Sequence, residues 1–103
     1  MSIEQVCSAI LDLQLKDSAI RSPFNCRYSV EKMTEIADKT DPNVITEILV
    51  YPYASPDEDV HYALKVGNTV FNPVKTAGFP RYNGPMEKAP GLLQSMNTAK
   101  EIL

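Results

Sequence analysis

The sequence predicts an α+β fold in which N-terminal helices pack on a small antiparallel sheet. Apolar residues recur at helical spacing in two segments of the N-terminal half, and runs rich in β-branched and aromatic residues follow them. Between two of these runs lies Gly67-Asn68, which favours a two-residue hairpin turn because both residues tolerate a positive φ. Helices and strands are thus segregated along the chain, as in the α+β class.

The composition indicates one globular domain spanning residues 1–103, with 44% hydrophobic and 22% charged residues. A net charge of −3 argues against a nucleic-acid partner, because phosphate binding calls for a basic surface. No run has the apolar length of a membrane span and no signal peptide is recognisable, so we expect a cytoplasmic protein without a membrane partner. Two cysteines and one histidine make a poor zinc site, and we expect free thiols and no metal.

Two helices are expected before residue 40. The first starts near Ser2 and runs to about Leu15, with Cys7 in its apolar stripe as a core residue. The second ends near Lys39, and its N-cap is either Asn25 or Ser22. Either choice leaves Cys26 in the first turn, where the helix dipole and the backbone N–H groups favour a thiolate and can bind an oxyanion.

Strands are expected near residues 44–51, 59–66 and 69–74. The Gly67-Asn68 turn sets Leu64 opposite Phe71 and brings His61 and Asn72 to one sheet face as diagonal neighbours. The other face receives apolar packing residues, namely Tyr62, Leu64, Val66 and Phe71. An amide on the next strand can hold the imidazole in one tautomer, as expected of a general base.

The remaining segments are predicted to be mostly irregular. Residues 52–59 form an acidic, proline-containing loop, which is either a solvated connection or part of an active-site rim. Residues 76–85 are too rich in glycine and proline for regular structure. A short helix is expected within residues 91–103, with Asn97 or Thr98 near its start.

Within residues 24–74, a cysteine lies at a helix start, a histidine opens a strand and Asn72-Pro73 lies on the next strand. In this order of residues the segment resembles the papain-like cysteine superfamily. In its transglutaminase-like branch the histidine strand is followed by Asp-Pro, to which Asn72-Pro73 is similar. The short length and the Asn-Cys start look most like the papain-fold toxin domains of bacterial polymorphic toxin systems. The resemblance implies a papain-like minimal fold.

The resemblance also implies a Cys26-His61-Asn72 triad that acts without a cofactor or metal. Cys26 would attack an amide, His61 would transfer the proton and Asn72 would orient the imidazole. The implied activity is that of a cysteine peptidase, a glutamine deamidase or a transglutaminase. All three act on a protein or peptide substrate through the same thioester with the cysteine. Papain has an oxyanion-binding glutamine shortly before its cysteine; here the nearest is Gln14, which we leave unassigned.

One further expectation depends on this resemblance, and another is an alternative to it. The toxin families imply a bacterial effector that is delivered to a target cell as part of a larger exported protein and restrained by an immunity protein. The alternative is a non-catalytic small α+β protein-binding module, in which Cys26 and His61 only contribute to packing.

Overall fold

Two helices precede an antiparallel sheet in the computed structural model, which describes residues 2–22, 25–51, 61–75, 80–89 and 97–98. The helices are α1 (Ser2–Lys16) and α2 (Cys26–Thr40). The strands are β1 (Thr46–Tyr51), β2 (His61–Val66), β3 (Thr69–Asn72), β4 (Tyr82–Pro85) and the two-residue β5 (Asn97–Thr98), arranged in the order β4-β3-β2-β1-β5. This is the predicted α+β architecture.

The helices form where the apolar spacing predicts them. Val6 and Ile10 of α1 and Val30, Met33 and Ala37 of α2 are buried, and they belong to one hydrophobic cluster. A 3₁₀ turn, Ser18–Arg21, joins the helices, and the Asp17 side chain caps it by accepting the Ala19 N–H at 3.0 Å. Helix α2 ends at Thr40, before the turn sequence Asp41-Pro42-Asn43.

Strand alternation divides the sheet residues between two faces. On the helix face, Ile48, Leu64, Val66 and Phe71 pack in the same cluster as the buried residues of α1 and α2. On the opposite face, Leu49, Ala63 and Val70 form a second cluster with Ala89, against which Tyr82 and Met86 also pack. Both faces of the sheet therefore carry buried apolar residues.

The hairpin register is confirmed. Val66 pairs with Thr69, Lys65 with Val70 and Leu64 with Phe71. Gly67 has φ 58°, the left-handed conformation for which glycine is favoured in such a turn. A register shift of one residue would reverse the two faces, so this turn determines which side of the sheet carries His61.

Two expectations for the C-terminal part are wrong. Residues 82–85 form β4, which pairs with β3 although its sequence contains Gly84 and Pro85. β4 lies at the edge of the sheet, where a proline without an N–H group is tolerated. Asn97 and Thr98 pair with β1 as β5 and do not start a helix. The rest of 91–103, and the acidic loop, lie outside the described residues.

Candidate functional site

The chain connectivity indicates that Cys26 and His61 are directed to the same end of the sheet. Helix α2 connects to β1 through the short segment 41–45, so the helix turns back along the sheet from the Thr46 end. Thr46 pairs with Val66 and Tyr51 with His61. A 15-residue helix and a six-residue strand are both about 20 Å long, and the start of α2 is therefore placed near the His61 end.

His61 and Asn72 form a buried hydrogen-bonded pair. His61 Nε2 lies 2.8 Å from Asn72 Oδ1, and both residues are 0% exposed. Asn72 Nδ2 donates to the Pro80 carbonyl at 3.1 Å. A carbonyl can only accept, so this contact fixes the amide orientation and leaves Oδ1 facing the imidazole. The predicted proximity of the two side chains is confirmed.

This geometry selects one tautomer of the imidazole. Because Asn72 Oδ1 is an acceptor, His61 Nε2 must carry the proton that forms the hydrogen bond. In the neutral ring the lone pair then resides on Nδ1, which is also buried. Burial lowers the pKa of His61 below its usual 6.5, and the Asn72 hydrogen bond opposes this effect by raising it. The lowered pKa favours the neutral ring at pH 7, the state that a general base requires.

Cys26 is the first residue of α2, as predicted, and its side chain is half-buried. The first hydrogen bond of the helix runs from the Ser29 N–H to the Asn25 carbonyl at 2.9 Å. The preceding N–H groups therefore point out of the helix start, where they favour an anion. Asn25 occupies the N-cap position, but its side chain does not cap the helix and donates instead to the Ala19 carbonyl at 2.7 Å.

The thiol is not part of the His61-Asn72 pair. Helix α2 packs on the helix face of the sheet, whereas alternation along β2 puts His61 with Ala63 on the opposite face. The structure thus brings two of the three predicted site residues together. It places the third at the same end of the sheet, on a helix that covers the other side.

Gln14 has a structural contact that does not follow from its place in the sequence motifs. Its side chain is 5% exposed, and its amide exchanges two hydrogen bonds with the amide of Asn83, at 3.1 and 2.9 Å. This pair ties α1 to β4. The signal available in the sequence was the position of Gln14 four residues after Ile10, in line with the buried stripe of α1.

Cys7 packs against the helix-face cluster, as predicted for a core residue. Burial raises the pKa of its thiol, and a hydrogen bond with Thr69 opposes this by lowering it. A raised pKa reduces the thiolate fraction at neutral pH, and hence the reactivity of Cys7. Cys7 is therefore an internal reference for the reactivity of Cys26.

The lowered pKa of His61 predicts a loss of stability in mild acid. Between pH 6.5 and the lower pKa of the folded state, the unfolded chain binds more protons than the folded one. The free energy of unfolding should therefore fall as pH decreases through this window and level off for this group below it. Urea unfolding at closely spaced pH values would measure the slope.

The matched control for this prediction is His61→Gln, which keeps a hydrogen-bonding side chain without a titrating group. Its stability should change less as the pH falls below 6.5, while carboxylate titration at lower pH stays common to both proteins. An identical slope in the two proteins would show that His61 does not control the pH dependence.

Within the described residues, no group of three or more His, Cys, Asp or Glu side chains is placed to hold a metal ion. None of the helices in this part of the chain has the length and apolarity needed to cross a membrane. Comparison of the chain with protein-family models, curated proteins and solved structures found no match.

Proposed function

We propose that the protein is a thiol-dependent acyl-transfer enzyme of the papain-like type, acting as a cysteine peptidase or as a glutamine deamidase or transglutaminase. The observation that supports this most is the 2.8 Å contact of His61 Nε2 with Asn72 Oδ1, which leaves Nδ1 as the basic nitrogen. The second support is Cys26 at the start of α2, at the same end of the sheet.

In the proposed reaction, His61 Nδ1 takes the thiol proton of Cys26 and the thiolate attacks the amide carbon. The tetrahedral oxyanion is bound by N–H groups at the start of α2. Collapse of this intermediate forms a thioester and expels an amine, which takes the proton from His61. Water or a second amine then releases the acyl group. The proton transfer requires the Cys26 thiol to contact the imidazole of His61, at the start of β2.

Thiol alkylation tests this proposal without knowledge of the substrate. In the folded protein at pH 7, Cys26 should react with iodoacetamide faster than Cys7, and His61→Ala should slow Cys26 alone. Peptide mass spectrometry would give the rate at each cysteine, and circular dichroism would establish that His61→Ala remains folded. His61→Gln provides a second variant with a smaller change in packing.

A second candidate function is a non-catalytic protein-binding module. It is favoured by the position of α2 on the helix face while the fully buried imidazole points to the opposite face. In that case His61 and Asn72 would only satisfy each other's hydrogen-bonding groups inside the fold. Slow alkylation of both cysteines, unchanged in His61→Ala and His61→Gln, would support this function and contradict the enzyme.

For the biological role, we propose a bacterial toxin effector that acts in the cytoplasm of a target cell and is restrained by an immunity protein. The support is the similarity of the Asn25-Cys26 helix start and of Asn72-Pro73 to papain-fold toxin domains. Such an effector would act on a protein substrate in the cytoplasm, and its toxicity would depend on the thiol.

A further inference from the structure

A groove lies between the end of α1 and the segments flanking β3 and β4, with a volume of about 420 Å³. We call it the arginine groove and define it by five residues, namely Leu11, Leu15, Pro73, Arg21 and Arg81. The Gln14-Asn83 amide pair also lines it and joins its two sides. The groove is therefore bounded by regular structure on α1 and on β4.

The apolar part of the groove is unusually exposed. Leu11 and Leu15 are one helical turn apart on α1 and are 42% and 78% exposed. Two neighbouring exposed leucines beside a proline present apolar surface that an incoming side chain can cover. Covering them would remove this surface from water, which favours association.

The charged part of the groove is cationic in a protein whose net charge is −3. Neither Arg21 nor Arg81 forms an ion pair with any carboxylate of the described residues. Arg21 Nε donates to the Gln14 carbonyl at 2.9 Å, which holds its guanidinium beside the groove. The nearby carboxylates are engaged elsewhere, Asp12 with Lys16 at 2.8 Å and Asp17 with Tyr28 at 3.0 Å.

We infer that the arginine groove binds an acidic peptide segment of another protein, with a leucine-like side chain on Leu11 and Leu15 and carboxylates on Arg21 and Arg81. The two arginines, which form no ion pair within the described part of the chain, select an acidic partner, and the exposed leucines select a peptide in preference to an anion without apolar groups. The inference does not depend on the proposed acyl transfer, because no residue of the groove takes part in that chemistry.

Fluorescence anisotropy with a labelled hexapeptide of alternating glutamate and leucine would test the inference. We expect saturable binding that weakens as salt is raised. Arg21→Gln and Arg81→Gln should each weaken binding by up to about fivefold, and Leu15→Asp by about tenfold or more. The amide signals of these residues should shift in the nuclear magnetic resonance spectrum. Binding by Cys26→Ala should equal that of the wild type.

Matched controls separate this groove from general surface effects. Ile45 is 67% exposed and precedes β1 at the other end of the sheet, and Lys39 is exposed near the end of α2. Ile45→Asp and Lys39→Gln should leave binding unchanged. The inference would be overturned by no saturable binding at millimolar peptide, by equal binding of a lysine-leucine hexapeptide or of oligothymidylate, or by equal effects of the control variants.

Discussion

Replacing Cys26 by serine is expected to reduce acyl transfer by about 10³-fold or more, because a hydroxyl is far less ionised than a thiol at neutral pH. Casein offers both peptide bonds and glutamine side chains as acyl donors. New peptide termini, ammonia release and incorporation of a labelled amine would distinguish peptidase, deamidase and transglutaminase activity in one series. Cys26→Ser changes one half-buried atom, so the fold should be retained.

The matched control is Cys7→Ser, which alters the other thiol of the chain within the helix-face cluster. It should keep its acyl-transfer activity per folded molecule, although it loses some stability. In bacteria, cytoplasmic expression of the wild-type chain should slow growth, and Cys26→Ser should relieve this effect. Toxicity that persists unchanged in Cys26→Ser would contradict a thiol mechanism for the effector.

Much of the fold was predictable because its determinants are local. The helical stripes of α1 and α2 and the Gly67-Asn68 turn act over a few residues, and the turn alone determines the register that brings His61 to Asn72. β4 was missed because Gly84 and Pro85 favour a turn locally. Its strand conformation is instead determined by pairing with β3 and by the contact of Asn83 with Gln14, 69 residues away in sequence.

The relation of Cys26 to His61 depends on which sheet face the helices cover. The sequence assigns the apolar residues Leu64, Val66 and Phe71 to the face opposite His61, and the apolar stripe of a helix packs where apolar area is largest. The position of α2 therefore follows from the same alternation that pairs His61 with Asn72. The order of Cys26, His61 and Asn72 along the chain does not indicate which face of the sheet each side chain occupies.

Two substitutions of Asn72, to alanine and to aspartate, are expected to have different effects on turnover and on stability. Asn72→Ala leaves the buried His61 N–H without its partner, which should cost about 1–3 kcal/mol in the free energy of unfolding. The Pro80 carbonyl also loses its donor, but Pro80 is exposed and water can replace the amide there. Turnover should fall as well, because the imidazole loses the contact that fixes its tautomer. Substrate affinity should change less, since the Asn72 side chain is fully buried.

Asn72→Asp should behave differently, because a carboxylate can still accept the His61 N–H but cannot donate to the Pro80 carbonyl. A negative charge beside the ring favours the imidazolium and should raise the pKa of His61 above its present lowered value. This variant should retain more turnover than Asn72→Ala, with the pH profile of activity shifted to higher pH. Histidine titration by nuclear magnetic resonance would measure the pKa directly. Turnover per folded molecule that equals the wild type in both variants would mean that Asn72 contributes to the fold alone.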